Sequence, residues 1–288
     1  MASLPSPRAA AVWCDEQRQA GRQIGFVPTM GGLHDGHLSL LDHGRTQCDV
    51  TCASIFLNPL QFNNPTDLAT YPADFSRDID LLEQAGCEMV FTGTLAQFFP
   101  EAKDQKKIPR LHPGLAGKGL EGRYRPGHLE GVMTIVDRLF RTVGSCNAYF
   151  GEKDFQQTLV VRELADRLKP CGVHINVIVC PIIREPSGLA LSSRNQRLGP
   201  GQKSTAAKIH NALQCAQIAW RKDGIRDPKA LESRMRTALE DPDIVVEYAS
   251  IRDETRWTEH RPQGKLSSPR ALIAVYIDNT RLIDTLLL

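Results

Sequence analysis

From residue 23 to residue 180, short β-rich runs alternate with stretches whose apolar residues recur at helical spacing. This alternation narrows the fold more than any other feature, because parallel strands need a long crossover and a helix supplies it. Candidate strands cover 23–27, 49–56, 88–92, 148–150 and 173–179, with helices predicted over 36–47, 74–85, 130–143 and 154–168. The pattern predicts an α/β fold: a Rossmann-like, doubly wound parallel sheet whose ligands lie beyond the carboxyl ends of the strands. After residue 197 it changes to helices over 201–222 and 228–240, then strands over 244–251, 271–277 and 281–286. A smaller C-terminal α+β domain is therefore expected over 185–288, after a larger domain over 1–184. Residues 100–127 lose the apolar periodicity to Lys, Gly and Pro and are read as a long surface flap.

Lys plus Arg number 35 against 33 for Asp plus Glu, a net charge of +2, with no dense basic run, so no nucleic-acid partner is expected. Eight cysteines without a C-x-x-C pair, several inside apolar runs, read as buried thiols in a reducing cytoplasm. No stretch reaches the ~20 apolar residues of a membrane helix, and the first residues lack the apolar segment of a signal peptide.

The first candidate strand ends in Pro28-Thr29-Met30-Gly31-Gly32-Leu33-His34-Asp35-Gly36-His37 and runs straight into a helix. Gly31 and Gly32 permit close backbone approach to a ligand, and a helix start offers N–H groups to a phosphate. His34 and His37 flank that position and can donate to phosphate oxygens. A Gly-rich turn with two surface histidines, or a metal site with further ligands, are the alternatives.

Gly151-Glu152-Lys153-Asp154-Phe155-Gln156-Gln157 follows another candidate strand. Lys153 suits phosphate oxygens, Asp154 serves equally as an N-cap or a ribose ligand, and Gln157 offers donor and acceptor to a substrate. Leu191-Ser192-Ser193-Arg194-Asn195 reads as a clamp for outer phosphates or as a Ser-rich cap before a solvated arginine. Gln61, in Asn58-Pro59-Leu60-Gln61-Phe62, is a neutral hydrogen-bonding group or an ordinary loop residue. Arg123, Arg125 and His128 complement an anion or are solvated on the flap.

Taken in order, these segments resemble the pantothenate synthetase family of the nucleotidyltransferase superfamily. P-T-M-G-x-L-H-x-G-H, N-P-x-Q-F, Y-P, R-P-G-H, F-G-E-K-D-F-Q-Q and S-S-R-N each stand where that family leads one to expect. The departures are Gly32 for Ala, Asp35 for Glu, Leu129 for an aromatic and Leu191 for Met. The resemblance implies ATP-dependent condensation of pantoate with β-alanine through a pantoyl-adenylate, releasing AMP and pyrophosphate, in a cytoplasmic homodimer. It implies nucleotide and pantoate binding by 1–184 and a lid role for 185–288. Met30, His34, His37, Gly151, Lys153, Asp154, Ile183, Leu191, Ser192, Ser193 and Arg194 would surround ATP, with His34, His37, Lys153, Ser192 and Arg194 catalytic. Gln61 and Gln157 would hold pantoate, and Asp78 matches an acidic segment linked to Mg²⁺.

Two other readings use the same motifs. A nucleotidyltransferase adenylylating a phosphorylated precursor would favour Arg or Lys over Gln61 and Gln157. A non-catalytic ATP-binding module would not need His34, His37, Lys153 and Arg194 together.

Overall fold

The computed structural model describes residues 1–104 and 107–288. The first strand, β1 (Ala2–Leu4), is followed by α1 (Pro7–Gln19), β2 (Ile24–Thr29), α2 (Asp35–Gln47) and β3 (Val50–Ile55). Two short helices, α3 (Pro65–Ala69) and α4 (Phe75–Gln84), lead to β4 (Met89–Phe91) and α5 (Leu95–Phe98). Next come α6 (Leu120–Tyr124), α7 (His128–Val143), β5 (Cys146–Gly151), α8 (Phe155–Leu168) and β6 (Ile175–Cys180). The chain finishes with α9 (Pro200–Ala206), α10 (Lys208–Arg221), α11 (Pro228–Ala238), β7 (Ile244–Asp253), β8 (Pro269–Ile277) and β9 (Thr280–Leu287).

Six strands form one sheet in the order β1-β4-β3-β2-β5-β6, every pair parallel. β3 is buried at all its positions because both faces of the sheet are covered. Neighbouring residues part company accordingly: Phe26, Cys52 and Met89 enter a core with Met133 and Phe140 of α7, whereas Val27, Ala53 and Val90 enter one with Leu40, Leu41 and Leu82. The chain winds outward from β2 through β3 and β4, then returns to β5 on its other side. The order therefore reverses between β2 and β5, the place where doubly wound sheets bind ligands.

The expected doubly wound sheet and smaller C-terminal α+β part are thus both present. β1 and α1 were not anticipated. β1 is a three-residue edge strand, and α1 is announced by Ser6, whose hydroxyl accepts the Ala9 amide, and by Pro7 at its first turn. The helix expected over 201–222 divides at Ala207 into α9 and α10. The expected flap over 100–127, of which residues 105 and 106 lie outside the described residues, contains a helical turn at Gly114–Gly117 and α6.

Two compact units divide the chain. One comprises Met1–Gly117, Arg125–Glu152 and Gln156–Pro181; the other comprises Lys118–Tyr124, Lys153–Phe155 and Ile182–Leu288. The second has its own core, in which Ala212, Leu213 and Ala216 of α10 and Leu231 and Met235 of α11 pack on Ala249, Ile251, Ile273 and Val275 of an antiparallel β7-β8-β9 sheet. Trp257 Nε1 donates to Lys118 O at 3.1 Å, and Arg270 stands over the Phe155 ring at 4.3 Å, so the two short inserted stretches are fastened to this unit. Among the described residues no helix is long and apolar enough to cross a membrane.

Candidate active site

The loop leaving β2 is shaped by its own chain. The Thr29 hydroxyl donates to Ser54 O at 2.7 Å and accepts the Gly31 amide at 3.3 Å. Gly31 and Gly32 both have positive φ, 86° and 65°, which only glycine adopts without strain. The Gly32 and Leu33 amides each donate to the Asp78 carboxylate at 2.8 Å. His34 is the N-cap of α2, its Nδ1 accepting the Gly36 amide at 3.1 Å, and His34 O accepts the His37 amide at 2.7 Å. A ring nitrogen that accepts carries no proton, so His34 is the Nε2–H tautomer. The His34 and His37 rings lie 4.2 Å apart between centroids, tilted by 40°.

This geometry revises two expectations. The amides of Gly31, Gly32, Leu33 and Gly36 already have acceptors inside the chain, so these four are not presented to an anion. Asp78, named from sequence as a Mg²⁺ residue, is fully buried with both oxygens accepting amides. A hydrated Mg²⁺ keeps several waters and needs an approachable carboxylate. Asp78 does not fit that role. Among the described residues no three His, Cys, Asp or Glu side chains are grouped to hold a metal, which leaves the reading of His34 and His37 as part of such a site without support.

At the end of β3, Asn58 Oδ1 accepts the Leu60 amide at 3.1 Å, while its Nδ2 donates to Gln61 Oε1 at 2.9 Å and to Gly131 O at 3.2 Å. Asn58 and Gln61 are both buried. With Oε1 engaged, the Gln61 amide nitrogen is the end presented for donation. The backbone of this turn is gripped as well: His128 Nδ1 donates to Gln61 O at 2.9 Å, and His128 Nε2 accepts from Arg125 Nη1 at 2.9 Å. α7 reaches the turn closely because it carries glycine, since a Cβ on Gly131 would stand 2.1 Å from Leu60 O. From sequence Asn58 has no role and His128 either complements an anion or is solvated on the flap, whereas the structure buries both against Gln61. An Asn-Pro pair ending a buried strand was the available signal, because a buried amide needs partners.

β5 ends at Gly151, where an added Cβ would meet nothing within 4 Å. Gln156 Nε2 donates to Ala116 O at 2.9 Å and is structural, while its neighbour Gln157 is half-buried.

In the second unit, Lys153 Nζ donates to Asp154 Oδ2 at 3.1 Å. Ile183 O accepts the Leu191 amide at 2.9 Å, closing a loop that continues into Ser192–Arg194. The Ser192 hydroxyl caps the helical turn Ser193–Arg197 by accepting the Arg194 amide at 3.3 Å, and Asn195 Nδ2 donates to Ala190 O at 3.0 Å. The capping reading of this motif is thus realised, and Ser193 is buried whereas Ser192 and Arg194 are half-exposed.

Paired imidazoles at the head of a helix, on the reversal point of a doubly wound sheet, define a nucleotide-handling α/β enzyme. The pantoate–beta-alanine ligase family profile matches residues 4–287. A pantothenate synthetase of Cytophaga hutchinsonii is 38% identical over 291 residues, covering 100% of this chain and 99% of that one. Another, from Brucella anthropi, is 40% identical over 272 residues, covering 93% and 90%. The crystal structure of pantothenate synthetase from Thermus thermophilus superimposes with a TM-score of 0.87 at 34% identity, covering 99% of each chain. That of the pantoate–beta-alanine ligase from Francisella tularensis, complexed with beta-gamma ATP and beta-alanine, does so with a TM-score of 0.78 at 32% identity, covering 100% and 97%. The chain belongs to the pantoate–beta-alanine ligase family and is an enzyme of that class.

Proposed function

We propose that the enzyme joins pantoate to β-alanine in two steps. The pantoate carboxylate attacks the α-phosphate of ATP and expels pyrophosphate; the β-alanine amine then displaces AMP from the pantoyl-adenylate. The observation that carries this reading is the His34–His37 pair, rings 4.2 Å apart, with His34 held as the Nε2–H tautomer at the start of α2. Two neighbouring donors on a rigid helix start are suited to charge that grows on a phosphate during attack.

Lys153 and Arg194 are assigned to phosphate oxygens, Ser192 and Ser193 to further hydrogen bonds there, and Met30, Gly151, Asp154, Ile183 and Leu191 to the adenosine. Gln61, whose Oε1 is engaged by Asn58, is assigned to pantoate through its amide nitrogen, together with Gln157. Both are neutral, which suits a carboxylate and hydroxyl substrate better than a phosphorylated one. Mg²⁺ enters with ATP as part of that substrate. A lid role for 185–288, a homodimeric state and a cytoplasmic location belong to the same proposal and rest on the family resemblance.

The test is isotope exchange. Given ATP, Mg²⁺ and pantoate without β-alanine, the enzyme should exchange labelled pyrophosphate into ATP, and omission of pantoate should abolish it. ADP and phosphate as co-products of pantothenate would sink the acyl-adenylate route, while exchange without pantoate would favour adenylylation of some other substrate.

A further inference from the structure

The loop from Met30 to His37 carries both imidazoles that the proposed reaction uses, so whatever sets its course sets theirs. Gly31 and Gly32, consecutive at φ 86° and 65°, turn successive N–H groups to one side of the chain. Such a concavity is an anion site, and in many glycine-rich nucleotide loops the anion is a phosphate. Here the anion comes from within the protein. Asp78, in the first turn of α4, places one oxygen 2.8 Å from the Gly32 nitrogen and the other 2.8 Å from the Leu33 nitrogen. Nothing fits between them, since a Cβ on Gly31 would stand 2.9 Å from Asp78 Oδ2. The carboxylate is fully buried, out of reach of a hydrated cation.

We propose that Asp78 is a positioning residue: its carboxylate is the built-in anion of the Gly31–Gly32 concavity, fixes the loop, and thereby places His34 and His37, without holding a metal. The catalytic part of this proposal rests on the adenylating reading above. Its physical basis is that hydrogen bonds to an ionised acceptor are stronger than neutral ones, so a buried carboxylate facing two amides holds a double-glycine loop that would otherwise be mobile. A consequence is that the amides of Gly32 and Leu33, committed to Asp78, are withheld from the ATP phosphates.

Asp78→Asn tests this with almost no change of size, keeping one acceptor and turning an NH₂ toward the other amide. Pantoate-dependent pyrophosphate exchange at saturating ATP should fall on the order of 10²-fold, the usual consequence of misplacing catalytic groups by about 1 Å. The ATP KM and the half-saturating Mg²⁺ concentration should stay near wild type. Amide hydrogen exchange at Gly32 and Leu33 should accelerate.

Gly31→Ala presses on the same contact from the other side with the carboxylate intact, and should reproduce the same split of kcat against KM. If Asp78→Asn does not fold, Asp78→Glu, which keeps the charge and shifts the carboxylate by one methylene, takes its place in the same measurements, because alanine at φ 86° is strained on its own account. A large rise in half-saturating Mg²⁺ in Asp78→Asn would make Asp78 a metal ligand and overturn the proposal, as would an unchanged exchange rate in either variant. If the wild-type enzyme shows no pantoate-dependent exchange, the adenylating reading fails by itself. Protection of the Gly32 and Leu33 amides then still decides whether Asp78 holds the loop, and unchanged protection in Asp78→Asn would show that it does not.

Discussion

Glu121 and Arg281, 160 positions apart, form a bidentate ion pair at 3.0 and 2.6 Å. The Tyr248 hydroxyl donates to the same carboxylate at 2.6 Å, and Arg281 Nε also donates to Glu247 at 3.0 Å. Burial works against the arginine's charge, but the two carboxylates outweigh it and its pKa is raised. Burial, reinforced by the Glu121 charge, pushes the Tyr248 phenol up. This cluster fastens α6 to β7 and β9 within the second unit.

Removing one partner from such a cluster should cost more than the pair itself contributes, because the remaining charge stays buried. Glu121→Ala is expected to destabilise the protein by roughly 3 kcal/mol, read from denaturant unfolding. Glu121→Gln should cost less, since it keeps an acceptor for Tyr248. Equal and negligible losses in both would mean that the cluster is not holding α6.

Gly131→Ala should be costly although alanine is the better helix former. Its Cβ would collide with Leu60 O, forcing α7 away from the turn that carries Gln61. The expected loss is about 1–3 kcal/mol of stability, as for other overpacked sites. Calorimetry should also show weaker pantoate binding with ATP affinity retained. Unchanged pantoate affinity would detach this packing from Gln61.

The thiols make a prediction with a definite sign. Burial pushes Cys180 up to about 11 and Cys87 up to about 12, so the folded protein holds these protons more tightly than the unfolded chain does. Their contribution to stability is complete below the free-thiol value of about 8.5 and is lost as pH climbs through the folded values. Melting temperature should therefore decline as pH rises above about 9. A disulfide reagent at neutral pH should modify the exposed Cys171 and Cys215 first and reach Cys14, Cys52, Cys87, Cys146 and Cys180 only on unfolding. Rapid modification of the buried five in the native state would contradict this.

Lys153→Ala and His37→Ala should each slow adenylate formation by roughly 10²–10³ while leaving pantoate affinity near wild type, because both groups are assigned to charge developing on phosphate. Single-turnover measurement with ATP and pantoate separates the two effects. Wild-type rates in both variants would remove these residues from the chemistry.

The sheet was legible because β2 and β3, covered on both faces, are short runs of small, β-branched and apolar residues without a charge. β1 was not, since three residues paired at an edge carry no periodicity. The motif from Met30 to His37 was equally visible, but what its amides bind was not. Asp78 lies 46 and 45 positions from the two amides it accepts, and on α4 its acidic side chain looks like any solvated face. Its burial, created by the packing of α4 against the loop, reverses that reading. His128 escaped for the same reason, since it reaches Gln61 through a contact that exists only once α7 has folded onto the turn after β3, whereas the Asn58–Gln61 bond spans three residues within one turn.

The second unit is written into the gene in three instalments, Lys118–Tyr124, Lys153–Phe155 and Ile182–Leu288. Cutting the chain at Pro181 would strip the last instalment of the strap that Trp257 and Tyr248 bind and of the aromatic ring under Arg270. The C-terminal stretch is therefore not a portable cassette. Gene fusion or recombination at a single crossover would not transplant the second unit intact, and a split-protein version of this enzyme would need its breakpoint elsewhere than the apparent seam.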